Sequence, residues 1–282
     1  MDIGALRLTV FLSVMVLATA AEFLLPRRAP QAPRAPRWLA NLGLMFMGAL
    51  AVRVFLPMAA GEFAVWAEER RIGLLHQVSW AFPVKLVLGF LWLDFCIYWQ
   101  HRLFHVWPAF WRLHKVHHLD KDLDASSGVR FHPVEYLLSM LIKMAAVGVF
   151  GVHFLAVFVF EIVLNAVSTF HHAAIALPGP VDALLRLFIV TPDYHRVHHS
   201  VEVDETNSNY SFNLTIWDRL FGSYMPQPRA PHATIALGLR EERGEKACAS
   251  IPNLLAVPFR RARPPSAGRP HGPGRRSLRP GR

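Results

Sequence analysis

The chain has 282 residues, 53% of them hydrophobic, and a mean hydropathy of +0.27, too apolar for an ordinary soluble domain and in the range of membrane proteins. Its formal charge of +10 does not indicate a nucleic-acid partner, because eight arginines and no acid are gathered between Arg260 and Arg282, in a Pro/Gly/Arg-rich tail expected to be disordered. Two cysteines, Cys96 and Cys248, exclude a disulfide framework and a cysteine-rich zinc site.

The first apolar run covers residues 8–25. Its arginines follow the run instead of preceding it, so it reads as a transmembrane helix and not as a cleaved signal. The next loop, "PRRAPQAPRAPR" at 26–37, carries four arginines and no acid, which places it on the cytoplasmic side. A second span covers about 38–60. A connector with mixed charges, "AEERR", follows and reads as an interfacial helix on the outer side. A third span runs from about 83 to 105. Two further runs, 134–150 and 152–170, are separated by Gly151 and form either a full or a shallow hairpin. Counting from the arginine loop, the end of the third span, the start of the fourth and the end of the fifth all reach the cytoplasmic face. The histidine-rich strings at 101–118 and 195–199, and the pair at 171–172, therefore meet on one side of the membrane.

Spacing decides what these histidines can do. Helical residues at i, i+3, i+4 and i+7 share a face. Asp94, Tyr98, His101 and His105 form one such stripe. His114, His117 and His118 form a second cluster, and His195, His198 and His199 repeat its i, i+3, i+4 pattern. Protonated neighbours would repel one another, and neutral ones near lipid would lack partners; a shared metal resolves both difficulties. Eight imidazoles are twice the set of one structural zinc site and suit two ions of Zn, Cu, Fe or Ni, with open positions for reaction. Two divalent ions held by neutral ligands favour nearby carboxylates. Asp94, inside a span and on the same stripe as His101, is the leading candidate to orient a ligand, and Tyr98 shares that stripe. Asp193, Asp120 and Glu135, close to the histidine strings, are further candidates for that orienting role.

The sequence resembles the fatty acid hydroxylase superfamily, also called the sterol desaturase family, of integral-membrane non-haem di-iron oxygenases. "DFCIYWQHRLFH" at 94–105, "WRLHKVHH" at 111–118 and "TPDYHRVHHS" at 191–200 are similar to its three histidine boxes, and "RFHPVE" and "NYSFNLTIWDRLFGSY" are similar to family segments. The resemblance covers about 90–225. It implies that His101, His105, His114, His117, His118, His195, His198 and His199 bind two irons. His172 in "FHHAAIALP" matches a further family histidine and is implied as a ninth metal ligand or a partner of the ligands, although Ala174 stands where the family carries asparagine. His132 in "RFHPVE" is implied as an orienting residue. The implied chemistry is O2-dependent hydroxylation or desaturation of a lipid.

The expected fold is an all-α polytopic membrane helix bundle with a cytoplasmic histidine-rich helical cap. Its expected parts are an N-terminal hairpin and connector (1–79), the di-iron domain (80–225), an extension (226–257) and the basic tail (258–282). No G-x-G-x-x-G fingerprint, haem-attachment motif or iron–sulfur cysteine set is present, so electrons are expected from a separate electron-transfer protein or reductase. No nucleic-acid partner is expected. The alternative reading is a histidine-lined membrane metal transporter, which would string its ligands along a path instead of gathering them on one side.

Overall fold

The structure, a computed structural model, describes residues 3–244 and 248–260; the basic tail lies outside the described residues from 261 onward. The described residues form the α-helices α1 (Ile3–Leu24), α2 (Arg34–Phe55), α3 (Ala60–Glu69), α4 (Phe82–Val106), α5 (Pro108–His118), α6 (Pro133–Phe150), α7 (Phe154–His172), α8 (Gly179–Leu185), α9 (Pro192–His198), α10 (Val203–Thr206), α11 (Ile216–Leu220) and α12 (Ile251–Ala256). Among the described residues, extended pairing is limited to isolated bridges such as Pro26 with Ile175, so the fold is all-α. Five segments are long and apolar enough to cross a membrane: α1, the stretch Arg34–His76 that contains α2, then α4, α6 and α7. At 18 and 19 residues, α6 and α7 are each roughly 27–28 Å long at 1.5 Å per residue. That is close to the ~30 Å hydrocarbon thickness, which fits a full hairpin better than a shallow one.

The hairpin turns on Gly151, whose φ of +73° ends α6 in the left-handed region. The connector after α3 approaches it so closely that a Cβ on Gly73 would strike the Gly151 backbone. Small residues on α3 (Ala60, Ala64) pack with Leu93 of α4, Val147 of α6 and Phe160 of α7 into the main apolar core. Leu12, Val16, Phe46, Leu50 and Val87 remain exposed on the outer faces of α1, α2 and α4, as a lipid-facing belt requires.

Opposite the Gly151 turn, the ends of α1, α4 and α7 and the starts of α2 and α6 form one layer, onto which the remaining segments fold as a cap. Buried acids tie the cap together. Glu22 at the end of α1 accepts hydrogen bonds from Ala125 N and Ala174 N, linking the loops after α5 and α7. Arg37 in the first turn of α2 meets Asp120 at 2.7 Å and Asp124 at 2.7 Å, all three buried. Arg130, fully buried, donates to Val116 O, Asn41 Oδ1 and Cys248 O, joining α5, α2 and the C-terminal segment. The arginines of the 26–37 loop are thereby committed to partners in the fold: Arg27 to Asp193, Arg28 to Asp122, Arg34 to Glu22 and Arg37 to Asp120 and Asp124.

Removing Arg37 leaves two buried carboxylates without their cation, so Arg37→Met is expected to cost about 3–5 kcal/mol. Thermal unfolding of the purified protein in detergent measures it. An unchanged midpoint would show that the Asp120–Asp124 loop is held by other contacts.

Candidate metal centre

Four chain segments bring histidines to the layer beneath the cap. The last turns of α4 carry His101 and His105. Pro108 opens α5 immediately beyond Trp107, turning the chain back so that His114 and His118 face His101 and His105 while His117 faces His172 and His199. The last residue of α7 is His172. The short α9 supplies His195 and His198, with His199 at its C-cap. All nine of these rings are buried, none exposing more than 9% of its surface.

Their nitrogens fall into two groups. His101, His105, His114, His118 and His198 each contribute one nitrogen to a cluster whose atoms lie within 4.8 Å of one another. His117, His172, His195 and His199 form a second cluster within the same limit. The two are adjacent, with the His118 and His199 ring centroids 4.4 Å apart.

The hydrogen bonds at the outer nitrogens fix what the inner ones carry. A backbone carbonyl can only accept, so an imidazole nitrogen bonded to one must hold the proton, leaving a lone pair on the other nitrogen of a neutral ring. Nδ1 of His101 donates to Tyr210 O at 2.7 Å and Nδ1 of His198 to Ser208 O at 2.7 Å. In the second group, Nδ1 of His172 donates to Ser168 O at 2.7 Å and Nδ1 of His117 to Arg130 O at 3.2 Å. Yet Nε2 of His101 lies 3.1 Å from Nε2 of His198, and Nε2 of His172 lies 3.1 Å from Nε2 of His117. Each group therefore holds two lone pairs facing each other with no proton between them. Extra protons are opposed electrostatically. Burial first, and neighbouring imidazoles second, hold His114, His117, His118, His195 and His199 well below the ordinary imidazole range. A cation in each group relieves the repulsion and uses the lone pairs as ligands. The residues present thus fit two metal ions, and an all-nitrogen set without cysteine suits a first-row transition metal.

Other polar groups support the rings from outside. Oε1 of Glu135, in the first turn of α6, lies 2.6 Å from Nδ1 of His114 and so orients that ring. The α7 face that carries His172 is braced by Gly128, where an added Cβ would lie 2.8 Å from Ser168 O; Ser168 Oγ donates back to Gly128 O at 3.0 Å. His171 is also buried. Its ring centroid is 4.1 Å from that of His195, but it joins neither group, and neither of its nitrogens has a hydrogen-bond partner.

The orienting roles expected from sequence for Asp94, Tyr98, His132 and Asp193 take a different form. Asp94 lies nearly two turns from His101 and accepts from Asn213 Nδ2, Leu214 N and Trp217 Nε1, clamping the 213–217 segment to α4. Tyr98 pairs with Ser223 Oγ and accepts from Arg102. His132 caps α6 by accepting from Val134 N. Asp193 binds Arg27 and Arg196. None of the four bonds to a histidine of the two groups. Glu135 and the carbonyls of Tyr210, Ser208, Arg130 and Ser168 do that work. The acid of "HPVE", three residues past a helix cap, is the one signal in the sequence that points to any of them.

A cavity of about 510 Å³ opens beside the first group, with His101 and His114 in its wall. It extends between α1, α2, α4, α6 and α7, past Ile97, Phe104 and Met140. Two histidine groups that fit metal ions lie beside this cavity within a bundle of helices long and apolar enough to cross a membrane.

Comparison with known proteins places the chain. The family model for fatty acid hydroxylase matches residues 86–223, the stretch that carries all nine clustered histidines, and this segment belongs to the fatty acid hydroxylase family. Ornithine lipid hydroxylase OlsE of Rhizobium tropici is 32% identical over 188 residues, covering 65% of this chain and 53% of that protein. Alkylglycerol monooxygenase of Homo sapiens is 26% identical over 222 residues (76% and 46%), and lathosterol oxidase of Mus musculus 28% over 163 residues (56% and 52%). The chain spans about half the length of these relatives. No solved structure matches.

Two outcomes are expected. Glu135→Leu removes the partner of His114 and is expected to weaken metal binding about 10–100-fold, read by competition with a chelator; unchanged affinity would show that Glu135 does not tune His114. The depressed imidazoles bind protons in the unfolded chain before they do in the fold, so metal-free protein loses stability as pH falls below about 6.5. Its unfolding temperature is expected to be lower at pH 5.5 than at pH 7.5. Equal temperatures would mean that the rings are not held neutral.

Proposed function

We propose that this protein is a membrane non-haem di-iron oxygenase that hydroxylates or desaturates a lipid with O2, using electrons from a separate donor. The observation that carries the reading is the pair of adjacent lone-pair-lined histidine groups opening on a cavity of hydrocarbon dimensions. The names of the relatives, an ornithine lipid hydroxylase, an alkylglycerol monooxygenase and a lathosterol oxidase, all refer to lipid-soluble substrates and support the lipid class.

In this reading, His101, His105, His114, His118 and His198 hold one iron, and His117, His172, His195 and His199 the other. When bound, the pair would supply the oxidising power that converts O2 and an unactivated C–H bond into an alcohol or a double bond. The chain's own contribution is placement. The carbonyls of Tyr210, Ser208, Ser168 and Arg130 keep the protons on the outer ring nitrogens, so the inner ones remain ligands. Glu135 holds His114 in the cavity wall. Phe131, with its ring centroid 4.5 Å from that of His117, and Phe212, 5.4 Å from His101, line the approach and exclude water. A substrate chain packed along Ile97 and Met140 presents one carbon to the wall formed by His101 and His114, and that positioning selects between adding oxygen and removing a second hydrogen. The histidine layer is assigned to the cytoplasmic face on the strength of the 26–37 arginines, which favour that side during insertion. A donor protein would dock on the cap.

His117→Ala is expected to lose at least half of the bound iron and all turnover. Metal analysis of the purified protein reads the first. Comparative lipid mass spectrometry of cells with and without the protein reads the second, as the gain of one oxygen atom or the loss of two hydrogens. Full iron content and full activity in the variant would remove His117 from the site.

A further inference from the structure

The cavity has two ends of opposite chemistry. At one end lie His101 and His114; its middle is walled by side chains such as Val52, Ile97, Met140 and Ile162. Its far end contains Arg7, Arg53 and Lys143, next to the corner between α2 and α3. Cations inside spans are costly and call for a partner. Here one carboxylate serves two of them: Glu161 meets Arg7 at 2.8 Å and Lys143 at 2.9 Å. Arg7 Nε is buried without an acceptor, and Arg53 has no acid partner among the described residues. The other acid at this end, Glu62, caps α3 by accepting from Ala59 N, and the third acid of the lining, Glu135, is at the histidine end, bonded to His114. The far end therefore carries more positive charge than its own acids neutralise, and unused donors as well.

We propose that this end binds the oxyanion of an acidic lipid, a phosphate or a carboxylate, with the hydrocarbon laid along the cavity towards His101 and His114. What then happens at the histidine end rests on the oxygenase reading; the binding itself does not. The cavity also acts as a ruler. Glu135, bonded to His114, and Lys143 stand eight residues apart on α6, about 12 Å along the axis. Along α7, Glu161 and His172 are eleven residues apart, about 16 Å. The carbon presented to the metal groups thus lies well down the chain and not beside the head group, and the head group points towards the leaflet opposite the histidine layer.

Native mass spectrometry of the purified full chain, incubated in turn with phosphatidic acid, a free fatty acid and diacylglycerol of matched chain length, tests the proposal. One or both acidic lipids should be retained at least about fivefold better than diacylglycerol, and Arg53→Gln should cut that retention about fivefold. Lys143→Gln should do the same, but the Arg53 side chain makes no hydrogen bond or ion pair among the described residues, so its variant keeps the test valid if Lys143→Gln does not fold. Arg70→Gln, on an exposed arginine outside the cavity lining, should leave retention unchanged. Comparing the two acidic lipids identifies the oxyanion. The proposal fails if diacylglycerol is held equally well, if Arg53→Gln has no effect, or if Arg70→Gln lowers retention as much as Arg53→Gln does, which would mark general surface attraction. Iron content measured on the same samples judges the oxygenase reading separately.

Discussion

The structure depends on one electrostatic constraint: buried imidazole lone pairs point at each other. Carbonyl acceptors outside each ring fix the tautomers of His101, His198, His117 and His172, so the 3.1 Å contacts between their inner nitrogens are repulsive unless a cation sits among them. Burial denies the alternative of protonation. A site of this kind is a poor core for a metal-free protein and a well-prepared one for a metal-loaded protein, which couples metal binding to the stability of the cap.

The surrounding fold supplies the rigidity that such a site needs. Acids are placed as knots between segments distant in sequence: Glu22 joins the loops after α5 and α7, Asp94 ties the 213–217 segment to α4, and Asp218 accepts from Tyr194 OH, Tyr210 N and Ser211 N. The Asp218 bonds matter directly, because Tyr210 offers its carbonyl to His101 and Tyr194 precedes His195. Five of the nine rings, those of His101, His114, His117, His172 and His198, are thus positioned by a carbonyl or carboxylate, and several of those groups are themselves held by a second set of hydrogen bonds. A loosened knot should be felt at the metal before it is felt in the membrane bundle.

Much of this was legible in the sequence, for physical reasons. Helical periodicity put His101 with His105 and His114 with His118, and apolar run lengths gave the five candidate spans; it also put His117 with His114 and His118, whereas the fold gives His117 to the other group. Counting those spans brought every histidine string to one layer. The supporting groups were harder to read. A backbone carbonyl has no sequence signature, so the acceptors at Tyr210, Ser208, Arg130 and Ser168 could not be foreseen. Asp94 shares a helical stripe with His101, yet stands nearly two turns away, and its oxygens are taken by a segment about 120 residues later in the chain. Glu135 meets His114 because α6 starts in the histidine layer, which spacing within α5 could not reveal. The arginines of the 26–37 loop served as an orientation signal in the sequence, whereas in the fold their charge is bound to Glu22, Asp120, Asp122, Asp124 and Asp193.

The central claim is that two separate cation sites are built from these lone pairs. Anaerobic titration of the metal-free protein with ferrous iron, following free metal in the filtrate, tests it most directly. Tight uptake that breaks at two irons per chain is expected. Uptake that ends at one iron, or no uptake beyond that of a protein with His101 and His117 both replaced, would contradict it.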